Sequence, residues 1–124
     1  HPYWFSRGEF TSKGWPRLES MEHVPPSYAR ELGQTARDTG TVIEINAGAV
    51  LDRALGERWV DSYLDYLRVV AAEGPLFAVA SDAHDIGSLH KVAWAWSAVE
   101  QLGLPPERIW LPSTPPLAPG RPAP

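Results

Sequence analysis

The chain reads as an α/β protein with parallel strands, on three observations. Two short apolar runs, "TVIEIN" (41 to 46) and "LFAVASD" (76 to 82), have strand character and are punctuated by Gly40 and by Gly74-Pro75. Segments with helical spacing stand before, between and after them. The order helix, strand, helix, strand, helix lays strands parallel, with the helices as crossovers covering the sheet.

Each element has its own signal. Residues 1 to 24 mix aromatics, glycines and charges without a period and are expected to form a loop. A helix is predicted over Ser27 to Asp38, with Pro25-Pro26 before it and Gly40 after it. "TVIEIN" follows as the first strand. Val60, Tyr63, Leu64, Leu67 and Val70 then trace one face of a helix over 57 to 73, with Gly74 as its stop. "LFAVASD" is the second strand. Leu89, Val92, Ala93, Trp96 and Val99 form the stripe of a third helix over 88 to 102, with Ser88 as its cap and Gly103 after it. "RIWL", ending at Leu111, can form a third short strand. The tail from Pro112 to Pro124 is proline-rich, cannot build a core and is expected to be disordered. The organisation expected is one domain over residues 1 to 111 and a tail over 112 to 124.

Composition narrows the function. A chain of 124 residues suffices for one core and not for two. A net charge of -4 offers no basic footprint for nucleic acid. The absence of cysteine rules out disulfides and thiolate metal sites. No apolar run approaches the length of a membrane span, and a cytoplasmic location is expected. The chain opens on His1 rather than methionine, and is expected either to have been cut or to be a fragment of a longer sequence.

The chemistry gathers at the strand ends. Residues two apart in a strand share a face. Ala78, Ala80 and Asp82 therefore lie opposite Phe77 and Val79, and His84 joins Asp82 if the chain stays extended. In the first strand Glu44 and Asn46 lie opposite Ile43 and Ile45. Both strands thus place polar groups on one face near their carboxyl ends, where parallel α/β folds build their sites. A carboxylate and an imidazole are suitable ligands for a divalent cation. The same pair can act as a metal-free proton relay, or Asp82 can simply cap the next helix.

Three motifs in order carry a family resemblance. "SDAH" after an apolar strand, followed by a helix and an "LGL" turn, resembles the last signature of the PHP (polymerase and histidinol phosphatase) family. His1-Pro2 resembles the preceding histidine motif, and "IEINAG" (43 to 48) resembles the intervening strand. The resemblance covers residues 1 to about 110. It implies a distorted (β/α)7 barrel, TIM-like, truncated at its amino terminus to its carboxy-terminal part. It implies a trinuclear centre of zinc, manganese or iron at the carboxyl ends of the strands. His1, Asp82 and His84 are then metal ligands, and Glu44 belongs to the pattern without being a ligand. The family's His-x-His motif, a further histidine and a bridging acid lie upstream of this sequence, so the chain carries about half a barrel and part of a metal centre.

The function so implied is metal-dependent hydrolysis of a phosphate monoester, such as histidinol phosphate or a related small substrate. The partners are that substrate and the missing amino-terminal half, with no membrane and no favoured nucleic acid, and the fragment alone is expected to be inactive. A non-catalytic PHP module and an amidohydrolase-like metal hydrolase are the alternatives. Arg7, Lys13 and Arg17 can bind phosphate, and Trp4 and Trp15 can line a pocket. Glu44 is expected in a buried hydrogen bond or ion pair, Asn46 at the strand-to-loop turn, and His23 and His90 in solvent. Trp59 and Trp96 are expected in the core.

Overall fold

The computed structural model describes residues 12–16 and 18–112. The chain forms α1 (Pro26–Thr39), β1 (Ile43–Asn46), a single turn of helix α2 (Ala47–Val50), α3 (Glu57–Ala72), β2 (Phe77–Ala80) and α4 (Val92–Gln101). Short 3-10 segments at Met21–His23, Arg53–Leu55, Ile86–Lys91 and Pro106–Arg108 link them.

The first half is built on a close helix pair. Pro26 starts α1, where a missing N–H costs nothing. Gly40 ends it in the left-handed conformation (φ 69), its N–H donating to Ala36 O and Arg37 O. The inward face of α1 is made of small residues, Ala29, Gly33 and Ala36. That lets α3 approach closely with its large side chains, including Tyr63 and Leu67, which are fully buried. The loop ahead of α1 contributes to the same core. Ser20 caps the 3-10 turn through Glu22 N, and Met21 is buried with its N–H donating to Ser62 Oγ at 2.9 Å.

β1 and β2 pair in parallel, with Ile43 opposite Phe77, Glu44 opposite Ala78, Ile45 opposite Val79 and Asn46 opposite Ala80. This is the pairing the sequence predicts. α4 packs against both strands. Arg108 ties the next segment to the start of β2, donating from Nε to Pro75 O at 2.7 Å and from Nη2 to Ala71 O at 3.2 Å.

Two expectations need correction. The "RIWL" segment makes a single parallel bridge, Ile109 to Phe77, rather than a strand. Pro105, Pro106 and Pro112 flank it and cannot donate to a ladder, so pairing stops after Trp110 N donates to Phe77 O at 2.7 Å. The last helix begins at Val92 rather than 88, after a 3-10 stretch over Ile86–Lys91 capped by Asp85. Ser88 is not the cap but its partner, giving its N–H and its hydroxyl to the Asp85 carboxylate. A 3-10 stretch turns faster per residue than an α-helix, so the expected stripe is rotated. Leu89 is 55% and Trp96 44% exposed, while Ala95, Ala98 and Val99 face the core. Trp59 is buried as expected.

The described residues therefore form a mixed α/β unit, mostly helical, with two parallel strands. None of their helices is long and apolar enough to cross a membrane. The tail beyond Pro112 lies outside the described residues.

The α1–α3 approach is testable at Gly33. A Cβ there would stand 2.7 Å from Val70 O and 2.8 Å from Glu73 Cβ. Alanine is favoured over glycine in a helix by about 1 kcal/mol, but overpacking costs about 1–3 kcal/mol. Gly33→Ala is expected to lower the unfolding free energy by about 1 kcal/mol or more in urea denaturation. Equal or higher stability would show that the two helices are free to separate.

Candidate functional site

The site is built from two strand tips that meet side by side. At the end of β1, Asn46 is 1% exposed and fully used. Its Oδ1 accepts from Ala49 N at 2.8 Å, which caps α2, and its Nδ2 donates to Glu44 Oε1 at 3.1 Å. The amide thus turns the chain and orients the carboxylate two residues earlier, as the sequence leads one to expect of both residues. Glu44 also acts on Tyr63: burial pushes the tyrosine hydroxyl well above its usual pKa, and the nearby carboxylate adds to the effect.

At the end of β2, the condition of an extended chain through His84 is not met. The strand stops at Ala80 and Asp82 adopts a left-handed conformation, φ 54, unique among the described non-glycine residues. Ser81 Oγ accepts from Ala83 N at 3.2 Å across this bend. Aspartate tolerates the left-handed region better than most residues. Asp82 and His84 still come together, with His84 Nε2 3.8 Å from Asp82 Oδ1. The two tips are joined through backbone, Gly48 N donating to Ser81 O at 3.1 Å.

The pair is open to water, with side-chain exposures of 39% for Asp82 and 88% for His84. A contact so exposed adds little stability even when the imidazole is charged, so fold stability does not explain it. The donor chemistry suits zinc, manganese or iron. Two donors on one tetrahedral ion, each at about 2.0–2.1 Å, stand roughly 3.3 Å apart. A small side-chain rotation from 3.8 Å reaches that spacing. The fit is partial, because no group of three or more histidine, aspartate or glutamate side chains gathers among the described residues.

The helix-cap reading of Asp82 is replaced. The cap of the following segment is Asp85, whose carboxyl the Ser88 hydroxyl holds below its usual pKa, helped by the Ser88 and Gly87 amides. Lys13 lies on the surface with its ammonium 4.8 Å over the ring of Trp15, which is 54% exposed. His23 and His90 are exposed, as expected. The calls on His1, Arg7, Arg17 and Trp4 fall outside the described residues.

Among the described residues, two of the cavities elsewhere in the fold lie between packed elements, and neither is lined by Asp82 or His84. One of about 310 Å³ lies beside the Met21–His23 turn, between Ala29 on α1 and Tyr66 on α3. Another, of about 210 Å³, lies between Leu64 on α3 and Trp94 on α4. At its rim Lys91 Nζ is 3.4 Å from Asp52 Oδ2 and 5.6 Å from the centroid of the Trp94 ring. The sequence carried no signal for that pair, since 39 positions separate its members. Gly48 and Ser81 were also missed as site residues, though both sit inside the quoted motifs.

No protein-family model, curated protein or solved structure matches this chain. The PHP resemblance thus rests on the sequence motifs alone.

Two outcomes are expected here. Asn46→Ala removes a cap and strands buried partners, lowering stability by about 1–3 kcal/mol in denaturant titration. An effect below about 0.5 kcal/mol would remove Asn46 from the framework of the site. For Asp85, a depressed pKa means that its contribution is complete above the unfolded value and is lost as pH falls through the folded one. Amide exchange at Ser88 should therefore accelerate, beyond the intrinsic pH dependence, only below the ordinary aspartate value of 3.8. Loss of protection at higher pH would show that the cap is not the ionised carboxylate.

Proposed function

We propose that this chain belongs to a metal-dependent phosphoesterase of the PHP type, acting on a small phosphate monoester such as histidinol phosphate. The observation that carries the reading is the Asp82–His84 pair, 3.8 Å apart and solvent-accessible beyond the carboxyl end of a parallel strand. The neighbouring strand brings Glu44 and Asn46 to the same end. A strand, a crossover helix and a second parallel strand form the unit that a (β/α) barrel repeats, and the proposal extends the fold to such a barrel.

In that reading Asp82 supplies negative charge and His84 a neutral imidazole, and both keep lone pairs accessible. Bound divalent ions would hold the phosphoryl oxygens and lower the pKa of a water molecule. Two donors do not complete an ion's ligand set. The proposal therefore requires His1 and the upstream acids and histidines that the resemblance implies. Lys13 is exposed on its loop and remains available to a phosphate, and Arg7 and Arg17 are proposed beside it. A cytoplasmic location belongs to the same proposal.

The 88% exposure of His84 favours one alternative, a PHP-like module that has lost its metals. The test separates the two. Residues 1 to 124 alone are expected to hydrolyse no generic phosphate monoester with added zinc or manganese. A protein that also carries the upstream ligands is expected to do so. In it Asp82→Ala and His84→Ala should each lower metal content and turnover together. Losing a residue that merely supports a ligand costs about 10–100-fold, so losing the ligand itself should cost about 100-fold or more. Unchanged metal content and rate in both variants would overturn the reading.

A further inference from the structure

We infer that Gly48, beyond the tip of β1, is the positioning residue for Asp82 beyond the tip of β2. The purpose of that positioning rests on the phosphoesterase reading, while its geometry stands on the backbone alone. The Gly48 N–H donates to Ser81 O at 3.1 Å. A Cβ on Gly48 would stand 2.8 Å from that same carbonyl oxygen and 3.1 Å from the Cβ of Asp82. The carbonyl is backbone and cannot swing aside as a flexible side chain would. Glycine is thus required by close approach, since Gly48 itself sits in a helical turn.

Asp82 supplies the second half of the argument. A non-glycine residue at φ 54 is strained, and such strain persists only where the surroundings over-determine it. Here the surroundings can be named. Gly48 holds the carbonyl just before Asp82, and Ser81 Oγ receives the amide just after it, at 3.2 Å. The bend is bracketed from both sides, and the space left open by the missing Cβ is where the Asp82 Cβ lies. The outcome is a carboxylate turned to within 3.8 Å of the His84 imidazole. Any larger residue at position 48 would drive residue 82 out of the bend and carry the carboxylate away from its partner.

The test uses Gly48→Ala, Asp82→Gly, Asp82→Ala and the double variant Gly48→Ala/Asp82→Gly, all in the 124-residue chain. Each is followed by thermal unfolding and by manganese-induced broadening of the His84 imidazole proton signals. Gly48→Ala is expected to lower the unfolding midpoint by about 5 °C or more. In the Asp82→Gly background the same change should cost less than half as much, because the Cβ contact at 3.1 Å is gone and a glycine at 82 frees the backbone that holds the Ser81 carbonyl against the new Cβ. Asp82→Gly should unfold above Asp82→Ala, since glycine is at ease at positive φ. The manganese concentration for half-broadening should rise about tenfold or more in Gly48→Ala, with both ligands still present. The double variant should recover stability but not manganese response. If Gly48→Ala does not fold, recovery of folding in the double variant supports the positioning and its absence overturns it. Equal costs in both backgrounds, Asp82→Ala as stable as Asp82→Gly, or an unchanged half-broadening concentration each overturn it as well. His84 signals that ignore manganese in the parent chain show that the pair alone does not hold the ion, as expected where the upstream ligands are needed, and the midpoint comparison then decides the positioning.

Discussion

Parallel strands cannot be joined by a tight turn; the chain must travel back along the sheet before it can pair again. Residues 47 to 76 make that journey here, and α3 is its long leg. The parallel pairing of β1 with β2 is the constraint on which the other features depend. It brings both carboxyl ends to one side, Asn46 opposite Ala80. It requires a return leg between the strands, and the helix that makes that leg must be buried, so α3 carries the large apolar residues. α1 can then cover α3 only by presenting small ones, which is the packing role of Ala29, Gly33 and Ala36.

The two strand ends are unlike. The β1 end is saturated: Asn46 is buried and its amide is spent on a helix cap and on Glu44. The β2 end is bent and wet, with a left-handed aspartate and an imidazole standing in solvent. A rigid, satisfied end supporting a strained, open one is the arrangement expected where geometry is held for a ligand rather than for stability. An exposed pair of this kind contributes at most about 1 kcal/mol to stability even when charged.

Much of the molecule was legible before any coordinates. The periodic residues of α3, the punctuation of α1 by proline and glycine, and the two β-branched or apolar runs named the elements and their order. α4 was legible only in part. Asp85 competes for the start of that helix through Ser88, and the 3-10 stretch it creates rotates the following face. Leu89 and Trp96, which the period placed in the core, are therefore half exposed. Capping and helix type are set by hydrogen bonds a few residues away, which hydrophobic period does not register.

The sequence by itself determined the class of the fold, the parallel order of its strands and the placing of Asp82 and His84 beyond a strand tip. These follow from local chemistry: apolar period, β-branching and chain-breaking residues act over a few positions. Only the tertiary structure decided how the pair is held. Alternation would join His84 to Asp82 only along an extended chain, but the backbone bends at Asp82, where Gly48, from another strand's end, claims the carbonyl of Ser81. That contact joins residues far apart in the chain through atoms common to every amino acid. What distinguishes position 48 is the absence of a side chain, and the meaning of an absence appears only when the neighbour that fills the space is in place.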